Sequence, residues 1–335
     1  MSHELRVGVI GTGHWGKNLL RNFRTLGALG ALCDIDGTAR EWAAAAYPDA
    51  DAYASAGELL TDKTIDAVAI ATPPATHGEL ALQALDAGKH VFVEKPLCLD
   101  LDQAELLRTR SRETGLSLMV GHLLLYHPAF VVLQNAVHDG LLGVIRYIYC
   151  NRLSLGKIRR EENSLWSFAP HDISMILTLL GHMPRKVITS GGTYLSATVA
   201  DTTLSHLSFE DGMQAHIFVS WLHPYKDHRM VVVGLDGMIV FDDVSDGERK
   251  LLHYPHEAKW KGNLPVVNKA APQPLPYDGR EPLAVECEHF LTCLANGRTP
   301  LSDVEEGRRV LVVLDACQRS LDSGRPVTLD GIVGE

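Results

Sequence analysis

The feature that most constrains the fold is an apolar segment that runs directly into a glycine triplet near the N-terminus. Residues 6–10 are typical of a buried strand, and Gly11, Gly13 and Gly16 follow with the spacing Gly-x-Gly-x-x-Gly before a helical pattern. The first glycine permits a tight turn, the second lets phosphates approach the main chain, and the third lets the helix pack closely. The free N–H groups of the helix then face the anion. The pattern predicts a dinucleotide-binding unit.

A carboxylate after the next predicted strand indicates which dinucleotide is bound. Residues 28–33 are apolar, and Asp34 follows them. Its distance from Gly11 is close to the ~20 positions expected for a carboxylate that binds the adenosine ribose and repels a 2′-phosphate. Ile35 offers no compensating cation, and Arg40 is expected to point along its helix, away from the adenosine pocket. These observations favour NAD over NADP.

Length and charge exclude several classes of protein. A chain of 335 residues exceeds one ordinary core, so two domains are expected. The net charge of −10 argues against a general nucleic-acid binder. No apolar run approaches the ~18 residues of a membrane span, and the N-terminus does not resemble a signal peptide, so a cytoplasmic location is expected. The six cysteines are scattered and predicted to be buried, and no histidine spacing indicates a metal site.

The order of predicted elements divides the chain into two parts. Strands and helices alternate over residues 1–121, which predicts an α/β Rossmann domain with a doubly wound parallel sheet. Residues 122–335 contain adjacent strands joined by turn signals, which predicts an α+β domain with a mostly antiparallel sheet. We expect this second domain to bind substrate and to oligomerise, with its last helices able to pack back on the first. Residues 244–281 are predicted to form a long loop.

The tripeptide Glu94-Lys95-Pro96 follows the fourth predicted strand. With the segments 71–77 and 87–91 before it and 171–173 after it, it resembles the glucose–fructose oxidoreductase, inositol dehydrogenase and MocA family. The resemblance covers nearly the whole chain. It implies a Rossmann domain joined to a domain with a large, mostly antiparallel sheet, and dimers or tetramers formed through the open face of that sheet. It also implies oxidation or reduction of a sugar or cyclitol hydroxyl carbon with a nicotinamide cofactor.

Two residues are the catalytic candidates that the resemblance implies. Oxidation of an alcohol requires a base near the hydroxyl, and Lys95 stands where the cofactor crevice is expected, although spacing alone favours a surface lysine. The following Pro96 could adopt a cis bond. His171 is predicted to start the helix 172–180 at the domain interface, either as a base or as a group that orients the substrate; alternatively, His171 and Asp172 only cap that helix. Many relatives carry an aspartate where this chain has Ser167, so the catalytic role should rest on Lys95 and His171.

The cofactor is expected to contact the glycine loop, the ribose carboxylate and the loops after the third and fourth strands. Two of these assignments have alternatives, because His77 could instead cap the next helix and Trp15 could belong to the core. The expected cofactor residues are Gly11, Gly13, His14, Trp15, Gly16, Asp34, Thr72, Pro73, His77, Glu94 and Lys95.

The substrate is expected to contact a local group of cations in an otherwise acidic chain. Residues 151–163 contain four of them, and such a cluster can hold a phosphorylated or nucleotide-linked substrate. The alternative is a solvated loop with weak Arg–Glu pairs. The expected substrate residues are Lys95, Tyr126, Arg152, Lys157, Arg159, Arg160, Trp166, His171 and Asp172.

Two further segments, 165–172 and 220–226, resemble a subgroup of the family linked to lipid A and surface-polysaccharide synthesis. Some members of it oxidise UDP-N-acetylglucosamine at C3 to a 3-keto sugar. The resemblance therefore implies an NAD-dependent nucleotide-sugar dehydrogenase that needs no metal. Two alternatives stay open: an inositol or free-sugar dehydrogenase, and a non-catalytic NAD-binding regulator, which the loss of the carboxylate at Ser167 favours.

Overall fold

The computed structural model describes residues 5–156, 158–159, 162–195 and 198–329. The chain forms two compact units: Met1–Tyr126 with Arg280–Leu311, and His127–Gly279 with Val312–Glu335. The division falls a few residues after the expected boundary at 121, and a C-terminal segment belongs to the first unit. None of the described helices is long and apolar enough to cross a membrane.

The first unit contains a parallel sheet whose strands, apart from one exposed edge strand, are largely apolar and buried. The strands are β1 (Val7–Ile10), β2 (Leu29–Cys33), β3 (Asp51–Tyr53), β4 (Ala67–Ile70), β5 (His90–Glu94) and β6 (Leu118–Gly121). Their order is β3-β2-β1-β4-β5-β6, so the direction of winding reverses between β1 and β4. This confirms the predicted Rossmann fold. Strand β3 was not predicted from the sequence, because this exposed edge strand of three residues has no apolar run.

Helices follow most of these strands. They are α1 (Gly16–Thr25), α2 (Gly37–Ala46), α3 (Ala56–Thr61), α4 (His77–Asp86) and α5 (Leu101–Thr114). In α1, Leu19, Leu20 and Phe23 are buried, as the helical period predicts. Asp36 caps α2 by accepting hydrogen bonds from the N–H groups of its first turn.

The second unit contains a larger sheet and a separate hairpin. The strands are β7 (Ile145–Leu155), β8 (Lys186–Gly192), β9 (Thr202–Ser208), β10 (Gln214–Ser220), β11 (Leu222–Gly234), β12 (Met238–Asp242), β13 (Leu251–Tyr254), β14 (Glu257–Lys261), β15 (Leu264–Asn268), β16 (Gln273–Pro274) and β17 (Val327–Thr328). The sheet order is β16-β13-β12-β11-β7-β10-β9-β8-β17, while β14 pairs with β15 alone. The β7–β10 pair is parallel and the other neighbours are antiparallel, which confirms the predicted mostly antiparallel sheet.

The prediction of a long loop over 244–281 is wrong. This segment contains β13, the β14–β15 hairpin and β16. Both hairpin strands are largely exposed, so their sequences lack the alternation of apolar and polar residues that a half-buried strand shows. Pro265 within β15 further weakened the strand signal.

The remaining helices are α6 (Pro128–His138), α7 (Ser164–Leu180), α8 (Pro282–Asn296) and α9 (Val304–Ser323). Helix α7 begins well before the predicted start at 172, with Asn163 accepting a hydrogen bond from the N–H of Trp166 at 3.1 Å. Pro170 lies inside the helix, and proline normally signals a helix boundary, which explains the error. His171 and Asp172 are interior helix residues, so the capping interpretation is wrong.

Candidate active site

The glycine loop between β1 and α1 has a different steric constraint at each glycine. Gly11 has φ of +93°, and a Cβ there would lie 2.8 Å from the carbonyl oxygen of Ala71 after β4. A Cβ at Gly16 would lie 1.8 Å from the carbonyl oxygen of Gly11. Gly13 is exposed and a Cβ there would meet no atom within 4 Å. The loop therefore combines a tight turn, a close helix approach and an open main-chain face, which fits a pyrophosphate.

Asp34 lies directly after β2 and faces this loop. Its Oδ2 accepts hydrogen bonds from the N–H of Thr12 at 2.7 Å and from the Thr12 hydroxyl at 2.9 Å. Its Oδ1 accepts from the N–H of Asp36 at 2.9 Å. Because a carboxylate has about four acceptor positions, capacity is left for ribose hydroxyls. Ile35 beside it is 89% exposed and offers an apolar face.

Arg40 does not follow the expected direction along α2. Its Nη1 donates to the main-chain oxygen of Asp34 at 2.7 Å. The long side chain turns back because its helix starts immediately after β2, within reach of the last carbonyl groups of the strand. A cation therefore stands at the adenosine end of the site, although it does not pair with the Asp34 carboxylate.

Glu94 is the last residue of β5, at the edge where parallel sheets bind ligands. Its carboxylate accepts a hydrogen bond from the indole Nε1 of Trp15, the residue before α1. It also packs against β6, since a Cβ at Gly121 would lie 3.1 Å from it. Burial raises the pKa of Glu94 to about 7, although the hydrogen bond from Trp15 and the charge of Lys95 act to lower it. Trp15 therefore links the glycine loop to Glu94.

Lys95 follows Glu94 and is half-buried, and the Lys95–Pro96 peptide bond is cis. The ring of His77 lies between the two loops expected at the cofactor, with Nδ1 2.8 Å from the carbonyl oxygen of Pro96 and Nε2 2.9 Å from that of Thr72. His77 is 1% exposed, and this burial lowers its pKa. Its ring thus connects the two loops.

The other residues of this unit that were expected at a ligand differ in access. His14 and Pro73 are exposed and Thr72 is half-buried, so all three can contact a bound molecule. Tyr126 is 3% exposed, and its hydroxyl lies 2.7 Å from the Oγ of Ser302. Tyr126 was predicted to bind substrate, but its hydroxyl is already paired with a residue of the first unit.

A buried ion pair lies in the second unit between β7 and α7. The Nε and Nη2 atoms of Arg152 donate to the two carboxylate oxygens of Asp172 at 3.0 and 2.9 Å. Arg152 is 6% exposed and Asp172 is 0% exposed. Burial raises the pKa of Asp172, and the guanidinium opposes that change. Both residues were predicted to bind substrate, and the structure pairs them with each other.

Two histidines lie near this ion pair. His171 precedes Asp172 on α7 and is half-buried. His228 on β11 lies directly opposite Arg152 in the sheet register, and its ring centroid is 6.5 Å from that of Phe168 on α7. Burial and the charge of Arg152 lower the pKa of His228 to about 4. His228 was not among the predicted site residues, because only the strand register, which a sequence does not show, places it opposite Arg152.

The remaining predicted substrate residues belong to the segment before and at the start of α7. The Nε of Arg159 lies 3.0 Å from the Oε1 of Glu162, so it forms the local Arg–Glu pair of the alternative interpretation. Lys157 and Arg160 lie outside the described residues. The indole of Trp166 donates to the Oε1 of Gln318 at 3.0 Å. The described cations of the segment are therefore already paired.

Comparison with known proteins agrees with both units. Residues 5–122 match the model of an oxidoreductase family with an NAD-binding Rossmann fold, and residues 130–240 match the GFO/IDH/MocA C-terminal domain. The UDP-N-acetylglucosamine 3-dehydrogenase of Acidithiobacillus ferrooxidans is 30% identical over 92% of this chain and 94% of its own. One solved structure of that protein, at 28% identity, superposes with a TM-score of 0.83 over 95% of this chain and 98% of its own.

A second relative acts on a different class of substrate. The scyllo-inositol 2-dehydrogenase (NAD(+)) of Bacillus subtilis is 26% identical over 98% of each chain. The WlbA dehydrogenase of Bordetella pertussis, solved with NADH and UDP-GlcNAcA, shares the fold at 20% identity, with a TM-score of 0.80 over 97% of this chain and 99% of its own. From the family models and the first relative, the chain belongs to the GFO/IDH/MocA family of NAD-binding oxidoreductases.

Proposed function

We propose that this oxidoreductase oxidises the C3 hydroxyl of UDP-N-acetylglucosamine to the 3-keto nucleotide sugar with NAD. The observation that carries the proposal is the 30% identity to a UDP-N-acetylglucosamine 3-dehydrogenase, because it extends over 92% of this chain and 94% of that enzyme. The product would serve lipid A or surface-polysaccharide synthesis in the cytoplasm. We further propose residues 122–335 as the substrate-binding and oligomerisation domain.

The chemistry requires a hydride acceptor and a base. NAD, held by the glycine loop and Asp34, would supply the acceptor for the C3 hydride. We propose that Lys95, at the carboxyl end of β5, accepts the hydroxyl proton and that His171 orients that hydroxyl. Ser167 is buried in α7 and has no carboxylate that could act as the base, so these two residues carry the proton chemistry.

The diphosphate is proposed to bind the cationic segment 151–163. Arg159 is part-exposed, and exposed ion pairs contribute only about 0–1 kcal/mol, so its exchange of Glu162 for a phosphate costs little. Arg152 is held by Asp172 and is proposed to position α7 rather than to bind the phosphate. Lys157 and Arg160 are proposed as further phosphate ligands on the basis of sequence alone.

The test is to mix the purified protein and NAD with UDP-N-acetylglucosamine, N-acetylglucosamine, myo-inositol or glucose and to follow NADH absorbance. We expect turnover with the nucleotide sugar and at least tenfold lower kcat/KM with the others. An Arg159→Gln variant should raise KM for the nucleotide sugar and leave kcat unchanged, with Arg146→Gln on β7 as a control outside the segment. Turnover of unphosphorylated compounds alone would refute the proposed substrate.

An inositol dehydrogenase is the second candidate. The 26% identity to a scyllo-inositol 2-dehydrogenase extends over 98% of both chains. The pairing of Arg152 and Arg159 also favours it, since an unphosphorylated ring does not need these cations. Turnover of inositols would support this candidate, whereas NAD binding without turnover of any of these compounds would support a non-catalytic regulator.

We also propose a homodimer or homotetramer formed through the open face of the large sheet. Buried and exposed side chains alternate along β7, β8 and β9. Several of the exposed side chains are apolar and lie on that face. Tyr147, Ile188 and Leu204 are 42%, 40% and 45% exposed. Light scattering on Leu204→Lys, with the exposed Leu106→Lys on α5 as a control, tests this: only the former should yield monomers.

A further inference from the structure

Glu286 on α8 is a buried acid that no described group neutralises. It is 0% exposed, and neither carboxylate oxygen has a hydrogen-bond partner among the described residues. An ionised carboxylate in such surroundings is so unfavourable that the group normally keeps its proton. Burial accordingly raises the pKa of Glu286 well above its ordinary 4.5.

The packing of α8 places Glu286 near Glu94. The rings of Phe290 on α8 and Phe92 on β5 are in edge contact, with centroids 5.7 Å apart. Glu286 precedes Phe290 by one helical turn, and Glu94 follows Phe92 by two strand positions, so each acid shares a face with its phenylalanine. The ring contact therefore brings both acids to the same side of the sheet. The charge of Glu94 adds to burial in raising the pKa of Glu286.

The two acids differ in what surrounds them. Glu94 accepts a hydrogen bond from Trp15, and the charge of Lys95 favours its ionised form. Burial still raises its pKa to about 7, so Glu94 gains and loses a proton near neutrality. Two interacting acids release their protons in separate steps, and here Glu286 keeps its proton through the step in which Glu94 ionises.

We propose that Glu94 and Glu286 form a carboxyl pair whose proton content follows the oxidation state of the bound cofactor. Asp34 assigns the adenosine half of the dinucleotide to β1–β3, which leaves the nicotinamide half to the side of the sheet that contains β5. The oxidised nicotinamide is positively charged and the reduced one is neutral. Glu94 is therefore ionised when NAD⁺ is bound and regains a proton when the cofactor is NADH.

This pair gives the proton of the reaction a destination inside the protein. The alcohol carbon loses its hydrogen as a hydride to NAD⁺, and the hydroxyl loses its proton to Lys95, which passes one proton to the Glu94 carboxylate. The products are a ketone, NADH and protonated Glu94. The positive charge of the nicotinamide and the negative charge of Glu94 disappear together, so no net charge is created near the reacting atoms.

Other titratable groups face the pair and are rival proton sources. Burial raises the pKa of Tyr126 and of Cys287 well above their ordinary values, and the charge of Glu286 raises both further. Neither group therefore ionises near neutrality. His122 follows β6, and its electrostatic interaction with Glu94 acts to lower the pKa of that carboxyl. The Nδ1 of His122 lies 2.5 Å from the Oε2 of Glu306. Lys95 and His122 are therefore the two rivals that an experiment must separate from Glu94.

Calorimetry of cofactor binding tests the proposal without any sugar. NAD⁺ and NADH are titrated into the full chain near pH 7 in buffers of different ionisation enthalpy, which reports protons released. We expect about half a proton released with NAD⁺, since the pKa of Glu94 is about 7, and about half a proton taken up with NADH, since Glu94 then regains its proton. Glu94→Gln should abolish the difference. Glu286→Gln and His122→Asn should preserve it, and Lys95→Met, which removes a charge that favours ionised Glu94, should change its size without abolishing it.

Equal proton release with both cofactors would overturn the proposal, as would a difference that survives Glu94→Gln or disappears in Lys95→Met or His122→Asn. If Glu94→Gln does not fold, ¹³C-carboxyl NMR of the unmodified, cofactor-free protein gives the answer. One buried glutamate should titrate near pH 7 and another should stay protonated there; ordinary titration of every glutamate would refute the pair. The inference rests on NAD chemistry and not on the choice of sugar, so these measurements stay informative if UDP-N-acetylglucosamine is not the substrate.

Discussion

Two buried acids, Glu286 in the first unit and Asp172 in the second, are accommodated in opposite ways. Both are 0% exposed. Asp172 accepts two hydrogen bonds from the guanidinium of Arg152, whereas Glu286 has no hydrogen-bond partner among the described residues. The ion pair with Arg152 keeps Asp172 charged. Glu286 instead keeps its proton and belongs to the proposed pair with Glu94, whose charge can change. The first unit thus contains the proposed adjustable charge, and the second unit contains a fixed ion pair.

The largest expected effect concerns Lys95 in the first unit. Lys95→Met removes the proposed base beside Glu94, and we expect kcat to fall about 10³-fold, because positioned general bases contribute about 10²–10⁴-fold. Steady-state NADH formation measures this. The midpoint of chemical denaturation should change little, which separates lost chemistry from lost folding. A Lys95→Met variant with full activity would contradict the catalytic assignment.

The fixed charge of the second unit is tested by Arg152→Met. This substitution leaves Asp172 buried and unpaired, so we expect the free energy of unfolding to fall by about 3–5 kcal/mol. The matched control is the double variant Arg152→Met/Asp172→Leu, which removes both charges and should recover most of the loss. Chemical denaturation measures all three proteins. A loss below about 1 kcal/mol in the single variant would show that the ion pair is not required.

Glu286→Gln should stabilise the protein at neutral and alkaline pH, in contrast to the destabilising Arg152→Met. A carboxyl whose pKa is raised on folding binds a proton that the unfolded chain has released, so stability falls as pH rises above 4.5. Removing the acid removes this cost, so the variant should gain stability over the wild type as pH rises above 4.5, with a slope of at most about 1.4 kcal/mol per pH unit. The gain should vanish near pH 4.5. A variant less stable than the wild type at pH 8 would mean that Glu286 is ionised in the folded protein.

A smaller effect is expected at Asp34, the half-buried residue after β2. Asp34→Ala removes the acceptor for the ribose and the repulsion of a 2′-phosphate, while Arg40 stays close to the main chain of residue 34. We expect the preference for NAD over NADP to fall about 10–100-fold, since hydrogen bonds to charged groups contribute about 1.5–3 kcal/mol. Fluorescence titration with both cofactors measures it. Thr12→Val removes only one hydrogen bond to the Asp34 carboxylate, so the preference for NAD over NADP should fall less than tenfold. An unchanged preference in Asp34→Ala would remove the basis for the specificity.

Local geometry was predictable and long-range pairing was not. Gly11, Gly16 and Asp34 belong to one β-α-β unit, so their spacing in the sequence determines their spacing in space. Glu286 comes to the side of the sheet that holds Glu94 only because Phe290 of a C-terminal helix packs on Phe92, and no periodic pattern encodes that ring contact.

The position of His171 shows a second reason for failure. Pro170 is a boundary signal in the sequence, but α7 continues through it because the apolar residues on both sides are buried together. Tertiary packing therefore overrode a local rule, as it did for Arg152 and Asp172, whose mutual pairing removed both from the set of free substrate ligands.

The most direct test of the proposed function follows the hydride itself. UDP-N-acetylglucosamine with deuterium at C3 is incubated with the enzyme and NAD, and the reduced cofactor is examined by mass spectrometry. We expect one deuterium per NADH formed and a nucleotide sugar that has lost its C3 deuterium. Reduced cofactor without deuterium, or no reduction with this substrate while an inositol is oxidised, would contradict the assignment of this enzyme as a nucleotide-sugar 3-dehydrogenase.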